Sequence, residues 1–250
     1  MTWRSLRWWL LGTLAYLSFL LTMLPAQYAV GWLVKHAPGV QLDGVTGSVF
    51  SGRAETLRYQ GAPLGAVQWQ FDWRALFGVS YGYRLALQST DGTLSLRADT
   101  RGSTVYLRDV DGRVPVSYVE RWLPVPSHSV QGTLALHLKE LALKGGRPQS
   151  AEGEIQLDDA VLSWPRAFTL GSYRMSLAPA STGGISAQVS DITSPLKLQA
   201  ALSLSPEGAY HLSGVLSARD PADPATRSFL GDLGPADSTG QYPFDFKGQW

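Results

Sequence analysis

Hydrophobic and polar positions follow two different rules along this chain. From Trp8 to Leu24 (WWLLGTLAYLSFLLTML) the sequence is apolar with only Gly, Thr and Ser interrupting it, and from Trp8 to Val34 the sole ionisable side chains are Tyr16 and Tyr28. After Lys35 strict alternation takes over. Val67, Trp69, Phe71 and Trp73 alternate with Gln68, Gln70, Asp72 and Arg74, and Leu94, Leu96 and Ala98 with Ser95, Arg97 and Asp99. The pattern returns in Leu134, Leu136 and Leu138, in Ile155 and Leu157, in Tyr173, Met175 and Leu177, and in Ile185, Ala187 and Val189. It continues through Leu196, Leu198, Ala200, Leu202 and Leu204 and closes on Tyr242, Phe244, Phe246 and Trp250. A period of two sends successive side chains to opposite faces of a strand, so these segments predict strands with one apolar and one solvated face.

Between the strands lie Asp91-Gly92, Asp111-Gly112, Gly145-Gly146, Gly183-Gly184 and Glu207-Gly208. Such pairs predict hairpins and short loops, and therefore antiparallel neighbours. Asparagine is absent from the chain, so turn positions with φ > 0 fall to Gly and Asp. Two short helices are expected, Val116 to Leu123 between prolines and Pro224 to Leu233, both as connectors. The fold expected is mainly β: an N-terminal transmembrane helix, then a long curved antiparallel β-sheet built as a meander. The alternative is two sheets, divided where the PVPSHS stretch, Pro124 to Ser129, reads as a linker.

The leader decides the compartment. About 20 helical residues span the roughly 30 Å hydrocarbon layer, and about 17 suffice. Trp8 and Trp9 on one side, with Tyr28 and Trp32 on the other, sit where interfacial aromatics are favoured. Arg4 and Arg7 precede the run, so the positive-inside rule puts the amino terminus in the cytoplasm and everything after Pro25 outside it. A cleaved signal peptide is the competing reading. The apolar run is too long for an h-region, and Leu24-Pro25-Ala26 is a poor small-x-small cleavage site. The organisation expected is a cytoplasmic N-terminus over residues 1–7, an anchor and juxtamembrane segment over 8–34, and an exported β-rich body over 35–250, either undivided or with a sub-boundary near 124–129. The localisation that follows is a membrane crossed once.

Charge changes the picture only by exclusion. The 250 residues carry a net charge of +1, and Lys and Arg alternate with Asp, Glu and Gln instead of clustering. A nucleic-acid surface would show a basic patch, so none is expected. With no cysteine, thiolate metal sites, Cys nucleophiles and disulfides are all excluded.

Reactive chemistry finds no motif. His36, His128, His137 and His211 stand singly, without an HxxxH or HExxH spacing, and read as surface or strand-face residues. Asp109-Val110-Asp111-Gly112 resembles the opening of a calcium loop but lacks the rest of an EF-hand, so a tight turn is expected. Asp158-Asp159 and Glu152/Glu154 resemble catalytic carboxylate pairs, but adjacent residues of a strand point to opposite faces, so Asp158 and Asp159 do not converge. Neither a G-x-S-x-G elbow nor a phosphate loop occurs; Gly44 to Gly52 (GVTGSVFSG) lacks a following helix and predicts a strand pair with a bulge. Trp69 and Trp73 share a strand face, as core residues do. The chain is read as no enzyme, with no catalytic, cofactor-binding or metal residues and no cofactor.

Two regions carry a resemblance. The first is GVTGSVFSG followed by Gly65, Trp69 and Trp73-Arg74-Ala75-Leu76; the second is Phe229-Leu230-Gly231-Asp232-Leu233-Gly234 with Gly240 and a last strand through Phe246 and Gly248. Together with the leader they resemble the type II secretion system protein N family, which typically shows G-T-L-W-S-G where this chain has Gly47 to Gly52. The resemblance implies a single-pass protein of the bacterial inner membrane with a periplasmic domain at the inner-membrane platform of that apparatus, acting as an accessory or scaffold through contacts with other secretion proteins, of the platform or the secretin. It carries over no functional residue. The related AsmA-like proteins pair an anchor with long curved sheets thought to guide lipids, which gives the alternative: a periplasmic carrier of lipid or another hydrophobic ligand.

Overall fold

The computed structural model describes residues 39–72, 81–118, 130–163, 167–181, 183–232 and 234–249, with residues 9, 12, 13, 25 and 26. Its strands are β1 (Val40–Asp43), β2 (Thr46–Gly47), β3 (Ser51–Tyr59), β4 (Ala62–Phe71), β5 (Tyr81–Gln88), β6 (Thr93–Arg101) and β7 (Thr104–Pro115). They continue as β8 (Val130–Lys144), β9 (Arg147–Leu162), β10 (Phe168–Pro179), β11 (Ile185–Thr193), β12 (Leu196–Leu204), β13 (Ala209–Ala218) and β14 (Tyr242–Gln249), with one helix, α1 (Pro224–Asp232), before the last.

All described strands belong to one antiparallel sheet of 14 strands in which each pairs with its neighbours in sequence; β2 alone leaves the path, pairing with β3 beside β1. Of the two arrangements expected, one sheet or two divided near 124–129, the described strands form one sheet. Strand β7 pairs with β8 from Thr104↔Lys144 to Pro115↔Thr133, so the intervening chain joins two neighbours of the same sheet. Of the helix expected at Val116 to Leu123, Val116–Tyr118 forms a 3-10 turn and residues 119–123 lie outside the described residues.

Register turns the alternation into two continuous faces. Leu87, Leu94, Gly112, Leu136, Ile155, Met175 and Val189 stand in one cross-strand row over β5 to β11. Ala200, Gly214 and Phe244 extend it to β14. Polar side chains fill the opposite face.

Bulges keep these faces in phase while bending the strands. The expected turn at Asp109 to Gly112 is one of them: Asp109 has φ 48°, the β6–β7 register shifts there, and Gly112 pairs with Leu94 inside the strand. Asp159, with φ 51°, is another, so simple alternation fails at Asp158-Asp159. Asp158 accepts a hydrogen bond from Gln156 Nε2 at 2.7 Å, while Asp159 lies exposed in the bulge. The GVTGSVFSG segment forms the predicted strand pair, Thr46↔Arg53 and Gly47↔Gly52, but its bulge falls further on, between Ala54 and Leu57. Gly145-Gly146, with φ 59° and 80°, makes the tight hairpin the sequence predicts between β8 and β9.

No second sheet covers the first among the described residues. The chain exposes 16055 Å², whereas a compact monomer of this mass exposes about 10,800 Å². The largest fully buried side chains among the described residues are Leu196, Leu230 and Thr226, all in or beneath α1. Among the described residues no helix is long and apolar enough to cross a membrane. The expected anchor over 8–34 lies outside the described residues except at residues 9, 12, 13, 25 and 26, where Pro25 bridges Ser48 and Ala26 is buried.

Candidate interaction surfaces

The best-formed site lies where α1 meets the apolar face. Asp223 caps the helix: its carboxylate accepts from the Thr226 N–H at 3.0 Å and from the Ala225 N–H at 3.3 Å, and Pro224 supplies a preset φ at the first helical position. The Thr226 hydrogen bonds hold the Asp223 carboxyl below its usual pKa. So anchored, the helix lays Phe229 flat on Phe168, ring centroids 4.4 Å apart, and sinks Leu230 next to Leu196.

Beside this plug runs a cleft of about 420 Å³ walled by Leu134, Leu157, Leu198, Leu216, Phe229 and Phe244. Its one buried polar cluster is already satisfied. The Ser194 hydroxyl donates to the Leu170 carbonyl at 2.6 Å, lies 2.8 Å from the Tyr173 hydroxyl, and accepts the Leu196 N–H at 3.0 Å. Burial pushes the Tyr173 phenol up, keeping it neutral. The cleft thus offers apolar contact and no free polar group, which suits an alkyl chain or an apolar side chain.

The polar face carries cross-strand ion pairs. Arg108 bridges Asp99 at 3.1 Å and Glu140 at 2.9 Å, and the Glu140 hydrogen bond raises the arginine's pKa. Glu152 meets Lys139 at 2.7 Å and Glu154 meets Arg174 at 2.9 Å, so these two carboxylates serve strand pairing. His137 lies 2.6 Å from Asp111, and His211 lies 2.8 Å from Asp245. Sequence spacing missed both partners because they come from neighbouring strands. His36, His128 and Trp73 lie outside the described residues. Trp69 is half-buried, with its indole N–H donating to the Ser48 carbonyl at 3.1 Å.

The third feature is the pair of sheet ends. Among the described residues β1 and β14 each pair on one side only, and a strand end of that kind can take up a further strand.

Among the described residues, a one-layer sheet with unpaired end strands and an apolar cleft offers surfaces suited to strand addition and apolar contact. The chain belongs to the type II secretion system protein N family, whose model matches residues 38–245. A Vibrio cholerae protein named type II secretion system protein N is 26% identical over 264 residues, covering 98% of this chain and 99% of the relative. Proteins of the same name from Aeromonas hydrophila, 25% identical with 94% of each chain covered, and Klebsiella pneumoniae, 24% identical with 94% of this chain and 92% of the relative covered, are similarly related. No solved structure matches the chain.

Proposed function

We propose that this protein is an accessory component of the type II secretion pathway. In this reading the segment over 8–34 holds it in the bacterial inner membrane, residues 1–7 stay in the cytoplasm, and the body over 35–250 stands in the periplasm, where it contacts other secretion proteins during export. The observation that carries the reading is the family match across 38–245, since it covers nearly the whole sheet. The mode of action follows from the open ends of that sheet. An edge strand accepts a partner strand through backbone hydrogen bonds, and alternate side chains select it.

In-cell crosslinking followed by purification in detergent tests the assignment. Secretion components are expected to copurify, and a recovery free of any of them contradicts it. Reporter fusions test the orientation: a fusion after Gln249 is expected to report the periplasm.

The cleft beside α1 favours a second reading, a carrier for lipid or another hydrophobic ligand, because its walls are apolar and its polar atoms are satisfied. Mass spectrometry of the purified protein is then expected to show a bound lipid, and a ligand-free spectrum removes this reading.

A further inference from the structure

We propose that the outer edge of β14 pairs with β14 of a second copy, giving a two-fold dimer with one continuous sheet.

The argument starts with the direction of the backbone groups. Ala209 is the β13 partner of Gln249, and its carbonyl accepts the Ser205 N–H at 2.8 Å in the β12–β13 loop. Ala209 therefore turns toward β12, and in an antiparallel pair its partner Gln249 must turn away from β13. Every second residue does the same, so Pro243, Asp245, Lys247 and Gln249 aim their backbone groups outward. The proline agrees: it sits where its missing N–H costs no ladder bond.

Outward residues must pair with outward residues of the added strand. Of the closely spaced two-fold registers this allows, one sets Asp245 against Asp245 of the second copy and another sets Lys247 against Lys247, both repulsive. The register between them sets Asp245 opposite Lys247 and Lys247 opposite Asp245. It also brings Phe246 opposite its own copy on the two-fold axis. Phe246 is 58% exposed in the single chain, an unusual state for a phenylalanine on the apolar face. Charged edge residues often protect against pairing. A cation and an anion two residues apart do the opposite toward a copy of themselves, because reversal of the strand matches them. Even-numbered residues of both copies then share one face, so the apolar row ending at Phe244 runs on into the second molecule.

The natural chain contains no cysteine, so single substitutions read the register directly. In the full-length protein in detergent, Phe246→Cys is expected to form a disulfide dimer of twice 27.1 kDa under mild oxidation, because opposed residues in such a pair have Cα atoms about 4.5 Å apart. Phe244→Cys is expected to stay monomeric, since the two copies of that residue are offset by about 13 Å along the strands. Asp245→Lys is expected to weaken association about tenfold, and adding Lys247→Asp to restore it, with the far-ultraviolet spectrum unchanged throughout. A monomer by sedimentation together with uncrosslinked Phe246→Cys overturns the proposal, as does equal crosslinking at both positions. In cells, a photocrosslinker at Phe246 that captures only another protein overturns it too. The purified assay contains no secretion component, so its failure leaves the reading of the pathway untouched.

Discussion

The patch under α1 and the middle of the same apolar face are built from the same residues and live in different environments. Under the helix, Leu196 and Leu230 are each 1% exposed and Phe168 stacks on Phe229. Along β6 to β9, Leu94, Leu136 and Ile155 share the row but remain half-buried, with no element over them among the described residues. Among the described residues, lateral strand pairing and not a second layer holds most of this sheet, while a nine-residue helix makes a local core at one end. A protein so built keeps apolar surface in reserve for something other than its own packing.

The sharpest way to break the comparison is to empty both regions equally. Leu230→Ala is expected to cost about 3 kcal/mol, because it leaves a cavity in a closed site, whereas Leu136→Ala costs about 1 kcal/mol, its side chain having kept contact with solvent. Urea unfolding measures both, and equal losses would mean that the middle of the face is covered as well. A somewhat smaller effect is expected at Gly171, where β10 bulges toward the helix-covered end. Its φ is 87°, and a Cβ there would meet the Thr193 carbonyl oxygen at 2.1 Å, so Gly171→Ala should cost about 2 kcal/mol in the same assay.

Ser194→Ala probes the polar floor of the cleft. It removes the hydroxyl that joins Leu170, Tyr173 and Leu196, and a loss of about 1.5 kcal/mol is expected, reduced to about 1 kcal/mol when Tyr173→Phe is already present because the bonds to Leu170 and Leu196 remain. The smallest effect is pH-dependent. Asp223 has its carboxyl pKa lowered by the Thr226 hydrogen bonds, so its contribution is complete above the pKa of the unfolded carboxyl and is lost as pH falls through the folded value. Helix-region protection, followed by hydrogen exchange, is expected to weaken in acid in the natural chain and to be insensitive there in Asp223→Ala.

Much of this architecture is legible in the alternation, because period two is a local property and survives any tertiary arrangement. Val67 to Phe71, Leu94 to Ala98 and Leu196 to Leu204 are strands as their pattern predicts. What stays hidden depends on partners distant in sequence. Asp111-Gly112 has turn chemistry, yet its place opposite Leu94 and Ser95 keeps it in a strand. The linker-like Pro124 to Ser129 does not end the sheet, since β7 and β8 pair from Thr104↔Lys144 to Pro115↔Thr133. Pro224 to Leu233 reads as a connector, and only the positions of Phe168 and Leu196 make it a plug. The cleft and the histidine–aspartate pairs are likewise products of register, which no spacing along the chain encodes.

Cysteine accessibility along the apolar face tests the account at its centre. Single cysteines replacing Leu96, Leu136 and Leu230 in the full-length protein are treated with a small maleimide under native conditions. Leu96→Cys and Leu136→Cys are expected to react promptly and Leu230→Cys roughly a hundredfold more slowly, through local opening only. Equal protection at all three positions would contradict an open apolar face and place a second layer across it.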